Sequence, residues 1–210
     1  MTNLQRHRRH VTALLGMACA PAALAGMVTI NVTTHSGIAA DDTVIVLDPL
    51  DAAPPARRDA VIIDQINKRF VPRVSVLRTG TEVTFPNSDR IRHQVYSFSP
   101  AKTFSLKLYA GSPNTPVTFD HPGLVVLGCN IHDNMLAYVA VVDSPYFAKT
   151  ADSGTVSLTL PAGRYRLLAW HPNAVAAIAP REITVSSAPL SIALSIDVDR
   201  ASANVPAWPE

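Results

Sequence analysis

At 210 residues, with 48% hydrophobic and 16% charged residues and no block of like charge, the chain has room for one large or two small globular domains. Seventeen prolines against nine glycines suit an all-β, loop-rich protein better than a helical one. Removing Arg6, Arg8 and Arg9 with the N-terminal segment leaves 15 of the 18 basic residues against 16 acidic ones, a balance of −1 that excludes a basic nucleic-acid-binding stripe.

That segment, Met1 to Ala25, reads as a secretory signal peptide. Its arginines form the charged start, and Val11–Ala20 is an apolar core too short to span a bilayer. Ala23-Leu24-Ala25 is a small-x-small cleavage site, so the mature chain is expected to start at Gly26 in the periplasm. Arg8-Arg9 leaves twin-arginine export open beside the Sec route. Cys19 lacks the leucine three residues back that lipid attachment uses. No later stretch is long and apolar enough for a membrane span.

Beyond Met27, short alternating or β-branched runs are separated by Gly, Pro, Asn and Asp turns. Val28–Val32 alternates, Thr43–Leu47 is continuously apolar, and Asp51–Arg58 reads as a linker. Eight strands are then expected: Val61–Gln65, Arg73–Arg78, Glu82–Phe85, Gln94–Ser99, Thr103–Tyr109, Pro116–Asp120, Leu124–Gly128 and Leu136–Asp143. Thr79-Gly80 and Pro122-Gly123 mark tight turns, and the density of short strands predicts a β-sandwich. A second β unit follows in Val156–Leu160, Arg164–Trp170, Ile183–Ser186 and Leu190–Ile196. Residues 201–210 read as a flexible tail, polar apart from Trp208.

The chemistry concentrates in Cys129-Asn130-Ile131-His132-Asp133-Asn134-Met135, at the exit of an apolar strand. With His93 upstream, it offers one thiolate, two imidazoles and one thioether, the donor set of a trigonal His2Cys copper site with a weak axial Met. Without the signal peptide, Cys129 is the sole cysteine of an exported chain and has no internal disulfide partner. Structural zinc sites do not use thioether, so Met135 favours copper over zinc. A Cys129–His132 or Cys129–His93 nucleophile pair gains nothing from Met135 and has no orienting third residue, so no enzyme activity is expected. His35, His121 and His171 stand in turns or at a strand end and are expected to be solvated or packing residues.

The motifs Asn87-x5-His93 and Cys129-x2-His132-x2-Met135 resemble those of the cupredoxins, with the short ligand loop of amicyanin rather than the longer one of plastocyanin. "DQINKRFVPRVSVLRTGTEVTFPNSD" and "VLGCNIHDNMLAYVAVVD" are similar to exported cupredoxin-like chains often labelled methylamine-utilisation proteins. The resemblance implies a Greek-key β-sandwich over residues 60–143 that holds one type 1 (blue) copper through His93, Cys129, His132 and Met135. It also implies that the Gln94 N–H points at the cysteine sulfur, and that Asn87 ties the two ligand loops together, toward Asn130. His132 would be the ligand nearest the surface, where electrons pass to and from periplasmic redox partners. Ile91, Ile131 and Leu136 fit either an apolar docking patch rimmed by Arg90, Arg92 and Asp133 or the core. The same donors would serve a copper carrier that delivers the metal without redox turnover.

Ala148 to Trp170 resembles the second half of a carboxypeptidase-regulatory-like, transthyretin-like sandwich. That likeness implies a split unit, residues 26–59 with 146–200, into which the copper domain is inserted. A simpler arrangement, with the first strands in the copper domain, also fits the sequence.

Overall fold

The computed structural model describes residues 25–51, 60–113, 115–201 and 205–209. The expected signal peptide before Ala25 and the Asp51–Arg58 linker beyond its first residue lie outside the described residues. The protein is all-β, and the described residues contain no helix. The strands begin with β1 (Ala25–Thr34), β2 (Val44–Pro49), β3 (Ala60–Ile62), β4 (Asp64–Ile66), β5 (Arg69–Val71) and β6 (Val74–Arg78). Then come β7 (Thr81–Thr84), β8 (Tyr96–Ser99), β9 (Lys102–Ser105), β10 (Val117–Phe119), β11 (Gly123–Gly128) and β12 (Leu136–Val142). The chain ends with β13 (Phe147–Lys149), β14 (Thr155–Pro161), β15 (Gly163–Trp170), β16 (Arg181–Val185) and β17 (Leu190–Ile196).

Sheets β14-β1-β17 and β13-β2-β15-β16 draw strands from both ends of the chain. Sheets β10-β7-β3 and β6-β12-β11-β8-β9 and the β4-β5 hairpin are built only from the segment between Ala60 and Val142. Three apolar seams hold these sheets in a stack. Val28, Ile30 and Val32 of β1 meet Ile45 and Leu47 of β2 and Leu167 and Ala169 of β15 in the first core. Phe70, Val83 and Phe85 meet Val125, Leu127, Val139 and Val141 in the second, which also contains Cys129 and Met135. Between them, Val44, Val46, Leu168 and Trp170 pack on Val74, Tyr138, Ala140 and Val142.

This stacking accounts for the sequence pattern. Strand β1 buries one face and alternates, whereas β2 and β12 send successive residues into two different cores. A strand covered on both faces reads as an unbroken apolar run, as in Val44–Leu47 and Ala137–Val142.

Three expectations change. Val61–Gln65 is not one strand: β3 pairs with β7, and after the buried Ile63 the chain starts the separate β4-β5 hairpin. Strands β5 and β13, three residues each, carry too little pattern to be read from sequence. Residues 205–209 are not a free tail: Val205 and Trp208 pack on the middle seam, and Trp170 Nε1–H donates to Pro206 O at 3.0 Å.

Candidate metal centre

Strand β11 ends at Gly128, which faces Leu136 of β12 on one side and Tyr96 of β8 on the other. A Cβ there would lie 2.8 Å from the outer end of the Tyr96 side chain, so a larger residue would have to displace that ring. Cys129 follows at once and is buried. The chain then doubles back: His132 N–H donates to Cys129 O at 3.4 Å and Met135 N–H to His132 O at 2.9 Å. This places three donor types within two successive turns before β12 begins. His93 enters from another direction, its backbone bonded both ways to Tyr109 at 2.9 Å.

The ligand atoms converge. His93 Nδ1 lies 3.8 Å and His132 Nδ1 3.9 Å from Cys129 Sγ, and one ligand atom from each of the three residues falls within 4.8 Å of the others. Two metal–ligand bonds of about 2.0 and 2.3 Å spread at a trigonal angle separate N from S by ~3.8 Å, so the spacing fits one ion between the three side chains. His93 is fully enclosed, while His132 is half-buried and reaches the surface. Met135, 1% exposed, lies in the same apolar core as Cys129. One cysteine sulfur, two imidazoles and a methionine in the same core form a soft, nitrogen- and sulfur-rich set that suits copper.

The surroundings hold a residue the sequence did not single out. Asp89 Oδ2 lies 2.7 Å from His93 Nε2. The same carboxylate accepts the N–H groups of Asn67 at 2.6 Å and Lys68 at 2.8 Å. Partial burial works against its charge, but the bonds from Lys68, His93 and Asn67 hold the Asp89 carboxyl below its ordinary range. Behind His93, Tyr109 O–H donates to Phe85 O at 2.6 Å, and Gln65 Nε2–H donates to Tyr109 Oη at 2.5 Å. Burial, helped by the charges of Asp64 and Cys129 and opposed by the Gln65 bond, pushes this phenol up to about 12.

The expected tie between Asn87 and Asn130 is not made. Asn87 is buried, but its Nδ2 donates to Ile91 O and Tyr109 O, both at 2.9 Å, and its Oδ1 accepts the Asp89 N–H at 3.0 Å. It braces its own loop, while Asn130 is exposed on the other. Among the described residues no hydrogen bond joins Gln94 N–H to Cys129 Sγ, and the Gln94 side chain turns outward to Ser105 Oγ at 3.0 Å. Ile91, Ile131 and Leu136 stand 42%, 50% and 42% exposed, at the surface rather than in the core. His121 is exposed, and His35 pairs with Asp197 on the surface. His171 is buried, its Nδ1 accepting the Asn173 N–H at 3.1 Å.

No family model matches the chain, and no curated protein does. Among solved structures it is similar to a copper-containing nitrite reductase from Thermus scotoductus SA-01, at 23% identity and a TM-score of 0.37 over 45% of this chain, but only a quarter (25%) of the reductase. A purple cupredoxin from Nitrosopumilus maritimus matches over 40% of this chain and 99% of its own at 22% identity, TM-score 0.35. A reduced amicyanin variant matches over 40% and 82% at 21% identity, TM-score 0.34. The structural neighbours thus include cupredoxins and a copper-containing nitrite reductase, at low identity and over less than half of this chain.

Proposed function

We propose that this chain is an exported, periplasmic protein that binds one type 1 copper ion and passes single electrons, with no substrate turnover of its own. The observation that carries the reading is the convergence of His93 Nδ1 and His132 Nδ1 on Cys129 Sγ, at 3.8 and 3.9 Å, with Met135 buried in the same core. Bound copper would supply a one-electron couple between its cuprous and cupric states.

The protein's part is to hold the donors still and expose one edge. Cys129 continues β11 and His93 is bonded into the Tyr109 segment, so both rest on rigid backbone. The half-buried His132 lies on a loop that also carries the exposed Ile131 and ends at the exposed Leu136. With Ile91, these would form a small apolar contact for an exported redox partner, and small interfaces suit encounters that must release quickly. The shared sheets at the two chain ends support reading residues 60–143 as a cupredoxin-like unit set into a second sandwich made from 26–59 and 146–200.

The test is reconstitution of the mature chain with copper(II) and a visible spectrum. An intense thiolate-to-copper band is expected, abolished in Cys129→Ser. A copper-saturated protein without that band would refute the reading. Reversible one-electron cycling supports the carrier, whereas ready surrender of copper to a chelator supports delivery instead.

A further inference from the structure

His93 is fully enclosed, yet its ring meets a carboxylate. Both Asp89 oxygens already accept a turn N–H, the bonding of a carboxylate that can only accept, so His93 Nε2 is the donor across their 2.7 Å contact. In the neutral ring that puts the proton on Nε2 and leaves the Nδ1 lone pair toward Cys129 Sγ. Asp89 is itself fixed from the opposite side. Strands β4 and β5 are joined by Asn67 and Lys68 alone, with φ of 53° and 59°. Two successive positive φ values are the mark of a type I′ hairpin turn. Here both turn N–H groups point at the carboxylate, to Oδ1 at 2.6 Å and Oδ2 at 2.8 Å. The Asp89 N–H is held by Asn87 Oδ1, so backbone and side chain are both anchored.

We propose that Asp89 is a positioning residue for His93, clamped by the Asn67-Lys68 turn, which selects the Nδ1-free tautomer and biases a bound copper ion toward the cupric state. A carboxylate on the far nitrogen orients a metal-binding imidazole and strengthens it as a donor. The added electron density favours the more highly charged metal state, so the carboxylate lowers the potential. The tautomer half stands on the hydrogen bonds alone; the potential half rests on the copper reading above.

Two variants separate the halves. In the metal-free protein, ring-nitrogen NMR should show His93 as one tautomer protonated at Nε2, and Asp89→Ala should give a mixture. Asp89→Asn keeps an acceptor oxygen but loses the charge, so it should keep the tautomer. In the copper-loaded protein both variants should lose ten- to a hundredfold in copper(II) affinity and little in copper(I) affinity. Each tenfold difference raises the potential by about 59 mV. If Asp89→Ala keeps both the wild-type tautomer and the wild-type potential, the proposal is overturned, whatever happens to the urea midpoint. Failure of the wild type to give a thiolate-to-copper band would sink the copper reading, while the NMR measurement would still decide the role of Asp89.

Discussion

Trp170→Ala probes whether the middle apolar seam couples the candidate metal centre to the rest of the fold. Trp170 is 2% exposed and packs on Tyr138 at 5.7 Å and Trp208 at 6.3 Å between ring centroids, and its Nε1–H holds Pro206 O at 3.0 Å. Truncating a buried tryptophan costs about 3–5 kcal/mol, which already includes much of the aromatic contact. The orphaned Pro206 carbonyl can turn to water, so ~4 kcal/mol is a fair expectation. Against a total stability of roughly 5–15 kcal/mol this is a large fraction. With a urea dependence of about 2–3 kcal/mol per molar, the midpoint should fall by ~1.3–2 M. Unfolding would be followed on copper-loaded protein by far-ultraviolet circular dichroism and by the thiolate-to-copper band. Trp170 lies outside the core that contains Cys129, so a lone local effect would leave the band untouched. Coupling through Tyr138 and Ala140, whose neighbours Ala137 and Val139 line the metal core, predicts that both signals shift together. A shifted dichroism signal with an unmoved copper midpoint would refute the coupling.

On the proposed copper reading, Met135→Leu should keep the colour and raise the potential, because the thioether would be the weak axial donor; complete loss of copper would show Met135 to be a principal ligand. His171→Gln should flatten the acid limb of stability. Burial, reinforced by Arg200 and Arg73 and opposed by Asp41 and Asp42, lowers the His171 pKa, so the folded state resists the proton that the unfolded chain takes up. Stability is therefore full above the unfolded pKa of 6.5 and falls as pH drops below it, by at most about 1.4 kcal/mol per pH unit from this group. Urea titrations of wild type and variant between pH 7 and 5 give the slope difference, and equal slopes would exclude His171 as the source. Arg90 and Arg92 are exposed beside Ile91 and make no ion pair among the described residues. Replacing both by Glu should slow electron exchange with hexacyanoferrate by about tenfold at low salt, with the rates converging at high salt. A salt-independent difference would exclude steering.

What the sequence made legible is what short-range pattern and donor chemistry encode. Val28–Val32 alternates because one face of β1 is buried, and Val44–Leu47 does not because β2 serves two cores. Cys129, His132 and Met135 were readable as a unit because seven residues carry three donor types, and the turn that joins them is closed by their own backbone. Asp89 was not readable. An aspartate four residues before a histidine is an ordinary loop feature, and its meaning here depends on the N–H groups of Asn67 and Lys68, more than twenty residues earlier. Trp208 was misread for a related reason: in a polar, proline-bearing end, one tryptophan has no period, and its partner Trp170 is on a strand that sequence alone assigns to another unit. Asn87 lies between these cases. The motif pointed to it as a tie between the two ligand loops, but its amide has two acceptors within its own layer, Ile91 O and Tyr109 O, and these outcompete a longer reach to an exposed Asn130. Side chains able to donate to a metal are fixed by chemistry and can be recognised by type. Their supports only have to supply an oriented N–H, C=O or carboxylate, which many residues can do, so their identities are written in the tertiary structure.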